Sequence, residues 1–181
     1  GFTWSFTSNG SMYKRYDQAI NYSNQNLTHL RLSFDGGTQK THDYIRKTGS
    51  FRKIIEAVKH YKEQGLRVLL AYTLNSLNAS ELPAFVELAQ QLDVDGIGFG
   101  AVIPTATNTE LVPNRSQRLQ TYQFASKLCA TTQMKVFTSS SLSTAKSADK
   151  FCNITLNHKP AINASGDYIY CCDTIGQGAV L

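Results

Sequence analysis

No apolar run in this sequence is long enough to cross a membrane. The longest, such as Leu69 to Tyr72, extend over a few residues, where about 20 are needed. The N-terminus carries no basic segment followed by an apolar one, so no secretory signal is read and the expected location is the cytoplasm. An initiator methionine is lacking too. The chain opens GFTWSFTSNG, almost directly on a strand-like run, and Gly1 is expected to be a cut or a vector scar. Cysteine is scarce: Cys129, Cys152, Cys171 and Cys172 are the whole set. Without a secretory signal they do not read as a disulfide framework, and the Asn-x-Ser/Thr triplets, such as those at Asn9 and Asn78, say little about glycosylation. Charged residues are only 17% of the chain, with 18 basic against 13 acidic, a net charge of +5 and a pI near 9.0. The basic residues are scattered, often on helix faces (Arg52, Lys53, Lys59, Lys62). They read as solvated surface, which disfavours nucleic acid as a partner. A mildly basic groove for an acidic peptide or a cofactor precursor stays open.

What is present alternates between strand-like and helix-like runs. Phe2 to Thr7 reads as a short strand ended by the turn Ser8-Asn9-Gly10, after which Met12, Tyr13, Tyr16, Ala19 and Ile20 recur at helical spacing. Leu30 to Phe34 is a strand stopped by Asp35-Gly36-Gly37. Phe51, Ile54, Ile55, Val58 and Tyr61 form a helical stripe, with Ser50 as its N-cap and Gly65 just past its end. Leu66 to Thr73 is an apolar strand of the kind buried on both faces. A helix opening at Asn78 or Ser80 carries Leu82, Phe85, Val86, Ala89 and Leu92, and Gly96 to Ile103 is a strand ended by Pro104. A helix with Leu119, Tyr122 and Leu128 and a short strand from Met134 to Phe137 follow. Strands recurring about every 30 residues with helices between them predict βαβ units. The expected fold class is α/β: four to five parallel units in a partial barrel or open sheet. Ser139 to Asp149 reads as a linker, and Lys150 to Leu181 as a small cysteine-bearing module with a hairpin turning at Ser165-Gly166-Asp167.

In a parallel sheet, polar residues at the carboxyl ends of strands face the ligand. Ser33 and Asp35 stand two apart at such an end, so both point to one face. They can hold ribose hydroxyls or an amino group. On spacing alone, a serine packed in the sheet and an aspartate capping the glycine turn is the stronger reading. His42, Asp43 and Arg46 follow closely. Arg46 can clamp a carboxylate or phosphate, while His42 and Asp43 can equally tie the loop to the next helix. Thr7-Ser8-Asn9-Gly10 and Thr73-Leu74-Asn75 add polar strand ends to the same rim. Cys152, Gly166 and Cys171 are spaced C-x13-G-x4-C. Two thiolates flanking a hairpin can converge on an iron–sulfur cluster, though two are too few for a cubane. Cys129, in a helical stripe, reads as a core residue.

In this order, a strand ending TSNG, a strand LSFDGG, then HDYIRKTGSF, then GLRVLLAYTLNSLNASELPAFVELAQQLDVDGIGFGAVIPT resemble strands three to six of a radical S-adenosylmethionine core. The C-x13-G-x4-C spacing is similar to the opening of the SPASM-type extension of that family. The resemblance divides the chain into a partial barrel over 1–138, a linker over 139–149 and the start of an auxiliary-cluster module over 150–181. It implies that Ser33, with Asp35, contacts the ribose or methionine part of S-adenosylmethionine. Asn75 and the region of Ile103 would line the same cofactor, and Cys152 and Cys171 would ligate an auxiliary cluster. Cys172 receives no role.

The family's C-x3-C-x2-C triplet is lacking. The chain is therefore expected to be a fragment of an enzyme that cleaves S-adenosylmethionine at a [4Fe–4S] cluster to a 5′-deoxyadenosyl radical. Such a fragment by itself would be inactive and would hold neither cofactor stably. The implied substrate is a peptide or protein, as in sulfatase maturation or ribosomal-peptide modification, with a small cofactor precursor as the alternative. Flavodoxin or ferredoxin would be the electron donor. An exposed strand edge near Phe2 to Thr7 would promote a homodimer. Two other readings compete. A metal-free α/β-barrel hydrolase or aldolase wants a lysine or a carboxylate pair at strand ends, and only Asp35 qualifies. A non-catalytic module binding through its basic surface is the third.

Overall fold

The computed structural model describes residues 3–23, 26–142, 161–162 and 168–169. The chain divides into two compact units, Gly1–Thr144 and Ala145–Leu181. In the first unit the strands β1 (Trp4–Ser8), β2 (Leu27–Phe34), β3 (Val68–Leu74), β4 (Gly96–Ala101) and β5 (Lys135–Thr138) form one sheet in sequential order, every pair parallel. Parallel neighbours need crossovers, and helices supply them. These are α1 (Asp17–Ser23), α2 (Gln39–Arg46), α3 (Ser50–Glu63), α4 (Leu82–Gln91) and α5 (Arg115–Thr131). This is the expected α/β partial barrel. In the second unit β6 (Ala161–Ile162) pairs antiparallel with β7 (Tyr168–Ile169). No described helix is long and apolar enough to cross a membrane.

Alternation along the strands assigns the two faces. Leu30, Leu32 and Phe34 of β2, Leu70, Tyr72 and Leu74 of β3, and Ile97 and Phe99 of β4 are buried in one core. Ile54, Ala57, Val58 and Tyr61 of α3 and Leu82, Phe85, Val86 and Ala89 of α4 pack into that core. Their i, i+3, i+4, i+7 spacing puts each set on one helix face. Each buried Leu, Ile, Val or Phe among them contributes about 1.5–3 kcal/mol by leaving water. The opposite face carries Arg31, Ser33, Ala71, Thr73, Gly98 and Gly100, all at least partly exposed. Leu69 lies on this side and is itself buried, so β3 is sealed on both faces at its amino end and opens at Ala71 and Thr73.

Several local expectations are revised. α3 begins at Ser50, and its N-cap is Gly49, in the left-handed region at φ 83°. Asp43 does the capping instead: its carboxylate accepts from the backbone N–H of Gly49 (2.9 Å) and Phe51 (2.8 Å) and from the Ser50 hydroxyl (3.1 Å). Gly65 (φ 71°) ends the same helix as expected, with its N–H on Lys62 O and the Leu66 N–H on Tyr61 O. Asn78 makes no cap, and α4 starts at Leu82 after a 3-10 turn over Ala79–Glu81. α5 buries Thr121 and Ala125 rather than Leu119 and Tyr122. Its Cys129 is exposed, because it falls on the outer side of that helix. β4 stops at Ala101, short of Ile103. After β5 the chain continues to pack, with Leu142 fully buried and the Ala101 N–H donating to Ser141 Oγ at 2.8 Å.

Candidate functional site

The carboxyl ends of β2, β3 and β4 form a rim of interlocked polar groups. β2 passes into α2 through Asp35-Gly36-Gly37-Thr38, and both glycines are required by close approach. A Cβ on Gly36 would lie 2.6 Å from the backbone nitrogen of His42, and one on Gly37 would lie 2.4 Å from Glu81 O. The Glu81 side chain completes that junction. Its carboxylate accepts from the N–H of Gly37 (2.8 Å) and Thr38 (3.2 Å) and from the hydroxyls of Thr38 (3.0 Å) and Thr41 (2.5 Å). A negative charge at the N-terminus of α2 also suits the helix dipole.

Asp35 is only 7% exposed. Its Oδ2 accepts from Arg46 Nε on the last turn of α2. Its backbone N–H donates to His42 Nδ1 at 3.2 Å. That bond requires an unprotonated Nδ1. Burial, the largest influence on His42, lowers its pKa below 6.5; Asp35 and Asp43 oppose the shift and Arg46 reinforces it. The neutral ring sits between Phe34 and Phe51, at centroid distances of 5.5 and 5.7 Å. Desolvation also pushes the Asp43 carboxyl up. The donors from Phe51, Gly49, Ser50 and Gln39 outweigh it, and the pKa falls from 3.8 to about 2.

Two buried asparagines join β2 to β3. Asn78 Nδ2 donates to Asp35 O (2.8 Å) and Thr73 O (2.9 Å), while Asn78 Oδ1 accepts from the Asn75 N–H (2.8 Å). Asn75 Nδ2 reaches the same two carbonyls at 3.3 Å, and Asn75 Oδ1 accepts from the Leu77 N–H at 2.9 Å. The Tyr72 hydroxyl donates to Asn78 O at 2.7 Å, and burial raises its pKa. The rim thus presents a backbone held in place by groups behind it.

Of the residues expected at the site, Ser33 lies on the open face of β2, half-buried. Asp35 stands just past it, turned to Arg46. Asn75 is 2% exposed with its amide engaged, and Ile103 is 50% exposed beyond β4. Asn9 spends its side chain locally on Ser11. Between these elements the open face is cleared of side chains at Gly98 of β4. Among the described residues a Cβ on Gly98 would come no nearer than 3.9 Å, to Leu70 O, while one on Gly100 would touch Ser139 Cβ and Ser141 Oγ at 3.5 Å. Cys152 and Cys171 lie outside the described residues, as do Cys172 and the turn at Ser165-Gly166-Asp167. Among the described residues no group of three or more His, Cys, Asp or Glu is placed to hold a metal ion. Glu81 and the bridging role of Asn78 escaped the sequence reading. Their partners across the rim are 40 to 44 positions away, in no local pattern. The only hint was the Asn-Ala-Ser-Glu-Leu run after β3.

The sequence model of the Radical SAM superfamily matches residues 1–89. Over 107 residues the chain is 24% identical to Fe-coproporphyrin III synthase of Methanosarcina barkeri, covering 59% of this chain and 26% of that protein. The fold is similar to Streptococcus suis SuiB bound to S-adenosylmethionine, with a TM-score of 0.73 at 14% identity over 96% of this chain and 44% of SuiB. SuiB bound to its precursor peptide SuiA gives a TM-score of 0.70 at 13% identity over 96% of this chain and 43% of SuiB. Native anSMEcpe with bound AdoMet and Kp18Cys peptide gives 0.66 at 12% identity, covering 98% of this chain and 53% of that one. The chain therefore spans about a quarter of the curated relative and about half or less of these solved proteins.

Proposed function

Residues 1–89 belong to the radical SAM superfamily, and from that premise we propose that this chain is part of a longer enzyme that uses S-adenosylmethionine to modify a peptide or protein. The observation that carries the reading is the sheet face at the carboxyl ends of β2 to β4, left open among the described residues and cleared at Gly98. The residues there suit an elongated polar cofactor. When bound and reduced at a [4Fe–4S] cluster, S-adenosylmethionine supplies a 5′-deoxyadenosyl radical for hydrogen abstraction. In this proposal the Ser33 hydroxyl contacts the cofactor's ribose or methionine part, and Ile103 covers it from beyond β4. Asp35 orients Arg46 beside the buried Gly-Gly turn. Asn75 and Asn78 act from behind, fixing the ends of β2 and β3 against each other. These groups position and shield; none is placed as a nucleophile.

The peptide substrate is supported by the SuiB complex with precursor peptide SuiA. A tetrapyrrole-like cofactor precursor is the second reading, favoured by the likeness to Fe-coproporphyrin III synthase. The C-x13-G-x4-C spacing and the β6–β7 pairing between its cysteines support a SPASM-type module in which Cys152 and Cys171 ligate an auxiliary cluster. A small flavodoxin- or ferredoxin-type protein would deliver the electron. The 181 residues by themselves are proposed to be inactive.

The test is anaerobic reconstitution of the protein encoded by the whole native reading frame, followed by reduction and measurement of 5′-deoxyadenosine. Formation that drops in Ser33→Ala is expected. A reconstituted, reduced protein that forms none would contradict the reading.

A further inference from the structure

The basic residues of this chain look scattered in sequence, yet the sheet gathers several of them on its open face. Register places Arg31 of β2, Leu69 of β3, Gly96 of β4 and Lys135 of β5 in one row. Arg31 and Lys135 stand about 14 Å apart across it, three strand spacings. Arg67 and His29 flank the row toward the amino ends of β3 and β2. Together they line a cleft of about 260 Å³, floored by Leu69 and Phe137. A Cβ on Gly96 would lie 2.7 Å from Lys135 O, so glycine keeps this part of the floor low.

The charge in the cleft is unbalanced. Among the described residues Arg31, Arg67 and Lys135 have no ion pair. The acid lining the cleft, Asp95, is already used: its Oδ2 accepts from Lys62 Nζ (3.2 Å) and from the Val68 N–H (2.8 Å). The cations also act on each other's neighbourhood, for Arg31 and Arg67 add to burial in lowering the pKa of His29. Uncompensated cations over an apolar floor match a chain segment whose stems are apolar and whose tips are carboxylates.

We infer that this cleft, at the amino-end half of the open face, binds the carboxylates of an acidic segment of the peptide substrate. The inference rests on the peptide-substrate reading above. It assigns Arg31, Arg67 and Lys135 as specificity residues, separate from the rim at the other end of the strands.

The experiment is calorimetric titration of the full 181-residue chain with a short glutamate-rich peptide and with its glutamine counterpart. The glutamate peptide binds, and its Kd rises as salt is raised from about 50 to about 300 mM. Arg31→Gln combined with Lys135→Gln weakens it roughly tenfold or more, while Lys53→Gln combined with Lys59→Gln, on the exposed face of α3, leaves it unchanged. Arg67→Gln gives a second, independent loss. The inference is overturned if the two peptides bind alike, if neither binds at low salt, if the α3 variants lose as much as the cleft variants, or if inorganic phosphate displaces the peptide at equal affinity. No cluster or cofactor enters this assay, so its failure leaves 5′-deoxyadenosine formation by the longer protein as a separate result.

Discussion

The two faces of one sheet are built on opposite terms. Behind it, Leu30, Leu32, Phe34, Leu70, Tyr72, Ile97 and Phe99 meet α3 and α4 in a sealed apolar core. In front, the same strands alternate to Arg31, Ser33, Ala71, Thr73, Gly98 and Gly100, which among the described residues leave this face partly exposed. A strand gives equal room to both faces, so residue choice alone makes the difference. Stability is concentrated on one side, and the other keeps open room, the seat proposed for the cofactor. The polar rim then fixes where the two meet, through Glu81, Asn75, Asn78 and the Asp35–Arg46 pair.

Substitutions separate the faces by size of effect. Phe85→Ala, behind the sheet and packed against Phe34, Tyr72 and Phe99, is expected to cost about 3–5 kcal/mol in urea unfolding. Gly37→Ala forces a methyl into Glu81 O and is expected to cost about 1–3 kcal/mol by the same measurement. Acid should act on the rim in two stages. His42 has a lowered pKa, so the neutral ring is the folded form. Its contribution is complete above pH 6.5 and is lost as pH falls below that value. Asp43 has a depressed pKa, so its contribution holds above 3.8 and is lost as pH falls through about 2. Stability measured against pH should therefore decline in both windows, and Asp43→Asn should flatten the lower one. A variant that keeps the same slope there would remove Asp43 from the capping role. The smallest effect belongs to the open face: Gly98→Ala should change stability by no more than about 0.5 kcal/mol, because its methyl meets nothing closer than 3.9 Å. A loss there as large as at Phe85 would erase the contrast between the faces.

The covered face was readable in sequence because it is periodic. The stripe of α3 and the apolar run of β3 each declare a local geometry. The helix α2 was not, since Gln39–Arg46 buries only His42 and carries almost no apolar signal. Its N-cap, Thr38, whose side chain accepts from the Thr41 N–H at 3.4 Å, went unread in the sequence. At the site, Ser33 and Asp35 were legible from their place at a strand end. Asn78 and Glu81 were not, because hydrogen bonds across 40 or so residues leave no spacing to read. Cys129 failed for a related reason: a cysteine in the stripe of Leu119, Tyr122 and Leu128 reads as core, but here it is exposed.

The most direct test of the open face as the cofactor's seat is hydrogen exchange of the reconstituted longer protein with and without S-adenosylmethionine. Protection is expected in peptides covering residues 33–37, 73–78 and 98–103, with α3 and α4 unchanged. Protection confined to those helices, or none at the three strand ends, would contradict it.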